Sequence, residues 1–219
     1  MTPRSGQIAI FDLDGTLTWR DTFLPYIAAF LAGRPARWMS VVPVLIAVIL
    51  FLCGRLDRDR FKERLTRICF GGASREEISR CSARFVERVM RGGLRPAAIK
   101  VIEQHRAAGD HLVLLSASPD LYVPVLAAQL GFDECICTEL GWNGGRLSGQ
   151  FVTANRRGEE KVRVVRAIRE ARPAQMAAYA NSSSDLGHLA LVERPLLVNA
   201  CARARRRAAR IGIRCQEWR

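Results

Sequence analysis

Residues 7–18 read QIAIFDLDGTLT, a short apolar run closed by two carboxylates and a glycine. An uncharged stretch of this length fits a strand over Gln7–Asp14, buried on both faces of a parallel sheet, with its polar groups at the C-terminal end. Asp12 and Asp14 are two residues apart, and on a strand that spacing sends both to one side. Gly15 lets the chain turn away. Two carboxylates meeting at a strand's edge suit a magnesium ion. One of them can attack phosphorus and form an aspartyl-phosphate, and the other can protonate a leaving oxygen and then activate water. An isolated DxD is more often a solvated turn; an apolar strand running straight into D-x-D-G-T-L is what favours chemistry here.

Downstream of this strand the pattern is helical. Helices are expected over about Asp21–Ala32, Ala36–Cys53, Arg58–Cys69 and Ser74–Met90, the last opened by a capping box of Ser74 and Glu77. RGGLRP (91–96) breaks the run. Alternation follows: a helix over Pro96–Ala108, a strand over His111–Leu115, a helix over Pro119–Leu130 and a strand over Cys135–Glu139. GWNGGRLSGQFV (141–152) reads as a hairpin. Then come a helix over Glu159–Ala171, a strand over Met176–Ala180, a helix over Leu186–Val192 and a strand over Leu196–Val198. Such alternation predicts an α/β fold, a parallel sheet with helices on both faces. The all-helical block reads as an insertion after the first strand, giving a core of residues 1–17 and 94–219 and a cap of 18–93.

The 219 residues suffice for one sizeable domain with an insertion, and 49% hydrophobic against 25% charged residues allows a packed core. The net charge of +13 favours anionic partners: nucleic acid, an anionic membrane surface or phosphorylated substrates. Nucleic acid is disfavoured, because no helix-turn-helix, zinc or RNP signature is present. His105, His111 and His188 form no metal or triad spacing. Seven cysteines, an odd number, and a Cys135/Cys137 pair too close for a zinc CxxC point to a reducing compartment with mostly buried thiols. The N-terminus has no signal-peptide pattern, so a cytoplasmic location is expected.

These motifs resemble the haloacid dehalogenase superfamily of phosphohydrolases. The resemblance implies Asp12 as nucleophile, Asp14 as acid/base and Mg2+ as cofactor. It implies that Ser116, ending HLVLLS, and the backbone amide of Ala117 bind the phosphoryl oxygens. Lys161, in RRGEEKVRVV, matches the lysine that neutralises nucleophile and phosphoryl charge, while Arg156, Arg157 and Arg163 read as solvated surface charge. YANSSSDLGHL (179–189) matches the acidic fourth motif, with Asn181 in the first acidic place and Asp185 in the second. The implied metal shell is Asp12, the Asp14 carbonyl, Asn181 and waters, with Asp185 binding through water or holding Lys161. One negative charge is missing, so magnesium is expected to bind more weakly than with Asp at 181.

A helical cap and the SASP form of the second motif are similar to subfamily IB, which includes phosphoserine and phosphatidylglycerophosphate phosphatases. Such relatives have a Rossmann-like three-layer core, a helical cap and a small β-hairpin flap. The residues that select phosphoserine are altered: Asp21 stands in a Glu position, and the usual Arg position falls on Ile68, with Arg67 one place early.

The uncharged stretch from Trp38 to Gly54, containing VVPVLIAVILFLC, bears on substrate. At ~1.5 Å per residue it makes about 25 Å of helix, less than the roughly 20 residues of a membrane span. A span would also part the first motif from the rest. Two readings stay open, a buried cap helix and a helix with one face packed and the other turned to lipid, flanked by arginines that meet anionic headgroups. The substrate expectation is a phospholipid monophosphate such as phosphatidylglycerophosphate, with a small soluble phosphate ester as the alternative. The lipid reading carries with it peripheral contact with an anionic membrane, at its inner face. CARARRRAAR (201–210) reads as a basic surface helix.

Overall fold

The computed structural model describes residues 6–32, 34 and 41–218. Strand β1 (Ile8–Phe11) is followed by helices α1 (Phe23–Ala32), α2 (Val41–Leu52), α3 (Arg58–Phe70), α4 (Arg75–Gly92) and α5 (Pro96–Ala107). Next come β2 (His111–Pro119), α6 (Val123–Gln129), β3 (Glu134–Thr138), β4 (Leu140–Asn143) and β5 (Arg146–Phe151). The chain closes with α7 (Glu159–Ala171), β6 (Met176–Ala180), α8 (Leu186–Leu189), β7 (Arg194–Val198), α9 (Ala202–Arg210) and β8 (Arg214–Gln216).

Six strands form one parallel sheet in the order β3-β2-β1-β6-β7-β8. Both faces of β1 are buried, and its residues divide by period 2. Ala9 and Phe11 enter a core shared with α5, α6 and the inserted helices, whereas Ile8 and Ile10 enter one shared with α7, α8 and α9. This is the three-layer α/β arrangement the alternation predicts. The order reverses between β1 and β6, and in open α/β sheets ligands bind beyond the strand ends at such a switch point. Asp12 directly follows β1 and Asn181 directly follows β6, so two of the expected site residues flank it.

Three details differ from the sequence expectation. Strand β2 runs on through Pro119, because the chain stays extended after a register shift and Pro119 pairs with Thr138. Helix α6 therefore begins at Val123, later than expected. Strand β8 was not anticipated: its three residues, RCQ, are all exposed on the outer edge of the sheet and carry no hydrophobic period.

The inserted helices pack through aromatics. Tyr26, Phe30, Phe70, Phe85 and Tyr122 meet with ring centroids 4.5–5.4 Å apart. The Tyr26 hydroxyl lies 2.9 Å from Ser82 Oγ, which donates to the Leu121 carbonyl at 2.6 Å. The expected capping box is formed: Glu77 N–H donates to Ser74 Oγ and Ser74 N–H to Glu77 Oε2. The β4–β5 hairpin closes on α3. Gly149, at φ +75°, lies so close to it that a Cβ there would sit 2.4 Å from Arg67 Cα.

Helix α2 is not buried all round. Only Ala47 is fully buried, and Phe51 stacks on Phe61 of α3 at 4.5 Å. Val41, Val42, Leu45, Ile46, Ile49 and Leu52 are 46–76% exposed and form a stripe at helical spacing. The start of the expected helix, residues 36–40, lies outside the described residues. No described helix is long and apolar enough to cross a membrane. Helix α9 buries Ala204 and Ala208 and turns all five of its arginines outward. All seven cysteines are free, but only Cys69 and Cys137 are fully buried. Cys53, Cys201 and Cys215 are exposed, which corrects the expectation of mostly buried thiols.

Candidate active site

Beyond β1 the backbone stays extended at Asp12 and then turns tightly over Leu13–Leu17. Gly15 makes that turn possible at φ +76°, and a Cβ there would lie 2.0 Å from the Asn181 amide nitrogen. The turn places Asp12 and Asp14 on the floor of an open cleft of about 640 Å³.

Asp12, Lys161 and Asp185 form a buried charge cluster. Lys161 Nζ lies 2.7 Å from Asp12 Oδ1 and 3.1 Å from Asp185 Oδ1. Lys161 comes from the first turn of α7, so the core helix delivers its ammonium to the strand end. Thr16 Oγ1 donates to Asp12 Oδ2 at 3.1 Å. Ser182 N–H donates to Asp185 Oδ2 at 3.2 Å. Burial pushes the Asp12 carboxyl up to about 6, against the pull of Lys161. Burial disfavours the Lys161 ammonium, but Asp12 and Asp185 outweigh it and raise its affinity for the proton. Burial also works against the Asp185 charge, and Lys161 overrides it, holding Asp185 below the usual carboxylate range. His188 sits behind them with Nδ1 3.9 Å from Asp185; burial pushes it down to about 3, so it is neutral.

Asp14 faces the other way. Its Oδ1 accepts from the N–H and hydroxyl of Thr22 at 2.7 and 2.6 Å, and its Oδ2 from the Ser118 hydroxyl at 2.6 Å. Burial raises its proton affinity, and Asp21 adds to the effect. The three donors favour the carboxylate and burial outweighs them, so Asp14 holds a proton more readily than an ordinary aspartate and can give one to a leaving oxygen. Its side chain is thereby committed, which leaves its backbone carbonyl as the group available to a metal.

Asn181, Asp185, Ala117 and Ser118 line the same cleft. Ser116 is fully buried just behind, and its Oγ accepts from Ser118 N–H at 3.0 Å. That bond leaves the Ser116 hydroxyl proton free to donate. Among the described residues no group of three His, Cys, Asp or Glu side chains forms a metal cage. A magnesium ion would instead draw on Asp12, the Asp14 carbonyl and the Asn181 amide oxygen, an all-oxygen set that fits a hard cation. Asn181 suits that role, because its side chain makes no hydrogen bond among the described residues and faces the cleft.

Several contributors were not anticipated. Ser118 and Thr22 hold Asp14. Lys62, from α3, lines the cleft and donates to the Ala117 carbonyl at 2.5 Å. Arg157, expected as solvated surface charge, lines the cleft half-buried, and Arg156 is half-buried in an ion pair with Glu160 at 2.5 Å. Only Arg163 is exposed as expected. The polar residues of SASPD and RRGEE carried a weak signal in their nearness to the motifs. Lys62 carried none, because its contact depends on where α3 crosses the sheet.

The haloacid dehalogenase-like hydrolase family pattern matches residues 9–190. Protein CicA of Caulobacter vibrioides is 34% identical over 189 residues, covering 85% of this chain and 83% of that protein. A probable phosphatase of Mycobacterium tuberculosis is 28% identical over 207 residues, covering 90% and 70%. A crystal structure of a Bordetella pertussis protein of unknown function has the same fold, with a TM-score of 0.81, 26% identity and coverage of 97% and 98%. A substrate-bound phosphoserine phosphatase shares the fold at a TM-score of 0.67 and 15% identity, covering 97% and 93%.

Proposed function

Because the chain belongs to the haloacid dehalogenase-like hydrolases, we propose that it is a phosphatase that hydrolyses phosphomonoesters with magnesium through an aspartyl-phosphate on Asp12. The observation that carries this reading is the Lys161 ammonium bridging Asp12 and Asp185 beside an Asp14 carboxyl held by three donors. Ser116 and the Ala117 amide hold the phosphoryl oxygens. Asp12 attacks phosphorus while Asp14 gives its proton to the departing alkoxide. Asp14 then takes a proton from water, which attacks the acyl phosphate and returns Asp12 and inorganic phosphate. Lys161 keeps Asp12 ionised and offsets phosphoryl charge. Asp12, the Asp14 carbonyl and Asn181, with Asp185 in support, would hold the magnesium ion, which would neutralise phosphoryl charge there. Residues 18–93 act as a cap over a core of 1–17 and 94–219. Phosphate release from an aryl phosphate, with and without magnesium, tests the reading. Wild type turns over only with the metal, and Asp12→Asn loses at least about 10³-fold; no release by wild type would reject it.

For the substrate, we infer a phospholipid monophosphate reached from the inner face of an anionic membrane. The exposed stripe of α2 supports this, and the C-terminal end of the same helix supplies Phe51 to a cleft also walled by Phe23, Leu24 and Phe61. Leu24 is the exposed member of that wall, and burying such a side chain fully contributes roughly 1.5–3 kcal/mol. The exposed Arg55, Arg58 and Arg60 next to that end suit anionic headgroups. A phosphoserine-like substrate has less support. Asp21 spends Oδ1 on the Phe23 and Leu24 amides, and Arg67 is exposed and away from the cleft. The openness of the cleft to solvent keeps a small soluble ester as the second reading. Release of phosphate from short-chain lipid phosphates and from phosphoserine, side by side, separates the two; a large lead for phosphoserine would reject the lipid.

A further inference from the structure

The cleft holds cations that the hydrolysis described above does not use. Lys62 and Arg58 lie one turn apart on α3, on the same side of the helix, and Arg157 comes from the loop before α7. All three line the cleft. None forms an ion pair among the described residues. The carboxylates near Lys62 are engaged elsewhere. Asp14 is held by Thr22 and Ser118, Asp21 caps α1, and Asp59 accepts from the Asn155 amide at 2.6 Å.

Among the described residues Lys62 has a single acceptor, the Ala117 carbonyl, and its ammonium lies 5.0 Å from the centre of the Phe23 ring. An ammonium has three protons to donate, so two remain for the cleft. Burial pulls its proton affinity down; Asp14, Asp21 and Asp59 oppose this, and Arg157 adds to it. Like charges gathered beside a half-closed apolar wall are costly unless an anion joins them. Charge-assisted bonds to an oxyanion would offset that cost.

We propose that Lys62, Arg58 and Arg157 form a subsite for a second oxyanion carried on the alcohol half of the substrate. The nucleophile already has its counter-charge in Lys161, from the core. Lys62 and Arg58 belong to the inserted wall, beside Phe23, Phe61 and Leu65. The substrate is thus a phosphomonoester whose leaving group joins an anion to an apolar body. Within lipid phosphates this favours a leaving group bearing a phosphodiester over a neutral diacylglycerol. The inference rests on the phosphatase reading.

Two matched pairs of esters test it by phosphate release. One pair is soluble, glycerol phosphate against phosphoglycerate. The other is lipid, short-chain phosphatidic acid against short-chain phosphatidylglycerophosphate. Wild type prefers the anion-bearing member by about tenfold or more in kcat/KM. Lys62→Met and, separately, Arg157→Gln bring that ratio to within about threefold, and Lys62→Arg restores part of it. A preference in the soluble pair alone supports the subsite and makes its source a soluble ester. Equal rates within both pairs in wild type, or equal losses on both members in the variants, would overturn the subsite while the phosphatase reading stands. No turnover of any of the four esters would overturn both.

Discussion

Replacing Lys161 with Met would leave Asp12 and Asp185 buried without a counter-charge. The expected loss is about 3–5 kcal/mol of stability together with activity, measured by urea unfolding and phosphate release. Asn181→Asp adds a carboxylate to the oxygen set and is expected to tighten magnesium binding several-fold by calorimetric titration; unchanged or weaker binding would contradict the assigned shell. Asp120 tests a different balance. Its buried Oδ1 meets no donor among the described residues, and burial pushes its carboxyl up to about 6. The folded state therefore keeps a proton that the unfolded chain releases near the ordinary 3.8, and stability falls as pH rises through that window. Asp120→Asn should raise Tm above about pH 7, with the gain fading toward about pH 4. Asp12, Asp14, Lys161 and Asp185 were legible in the sequence because each stands in a motif whose order along the chain is fixed. Ser118, Thr22, Lys62 and Arg157 were not, because their roles arise from contacts between segments far apart in sequence.

At the scale of elements, the hairpin and α2 make opposite demands. Gly149 must hold a left-handed conformation with its Cα against α3. Gly149→Ala is expected to cost at least about 1–2 kcal/mol by thermal unfolding. On α2, Leu45→Gln with Ile49→Gln removes exposed aliphatics that pack on nothing described. Stability should hold, while flotation with anionic vesicles falls sharply; unchanged flotation would reject α2 as the contact. The hairpin was legible from its turn residues and short alternating runs. The helix periods were legible too, but the burial of α2 was not, since an uncharged helix reads alike whether its neighbours cover one face or all. The end of β2 was lost for a related reason: only pairing with β3 keeps Ala117–Pro119 extended.

For the whole molecule, the parallel sheet and its switch point bring strand ends from both halves of the chain to one cleft. Residues 12, 161 and 185 meet there, with 116 buried just behind, although the inserted helices separate the first from the others. The strand–helix alternation made this architecture legible. It could not reveal β8, which adds three exposed residues to an outer edge. Part of the positive charge lies on an outward arginine face on α9 and part around the cleft. In the proposed mechanism Asp12 becomes phosphorylated during turnover. Acid quenching of the enzyme during steady turnover of an aryl phosphate, followed by mass spectrometry of its peptides, tests this directly. The expected result is one added phosphoryl mass on the peptide containing Asp12, absent without magnesium and absent in Asp12→Asn. Full turnover with no phosphorylated peptide, or with the label on another residue, would contradict the account.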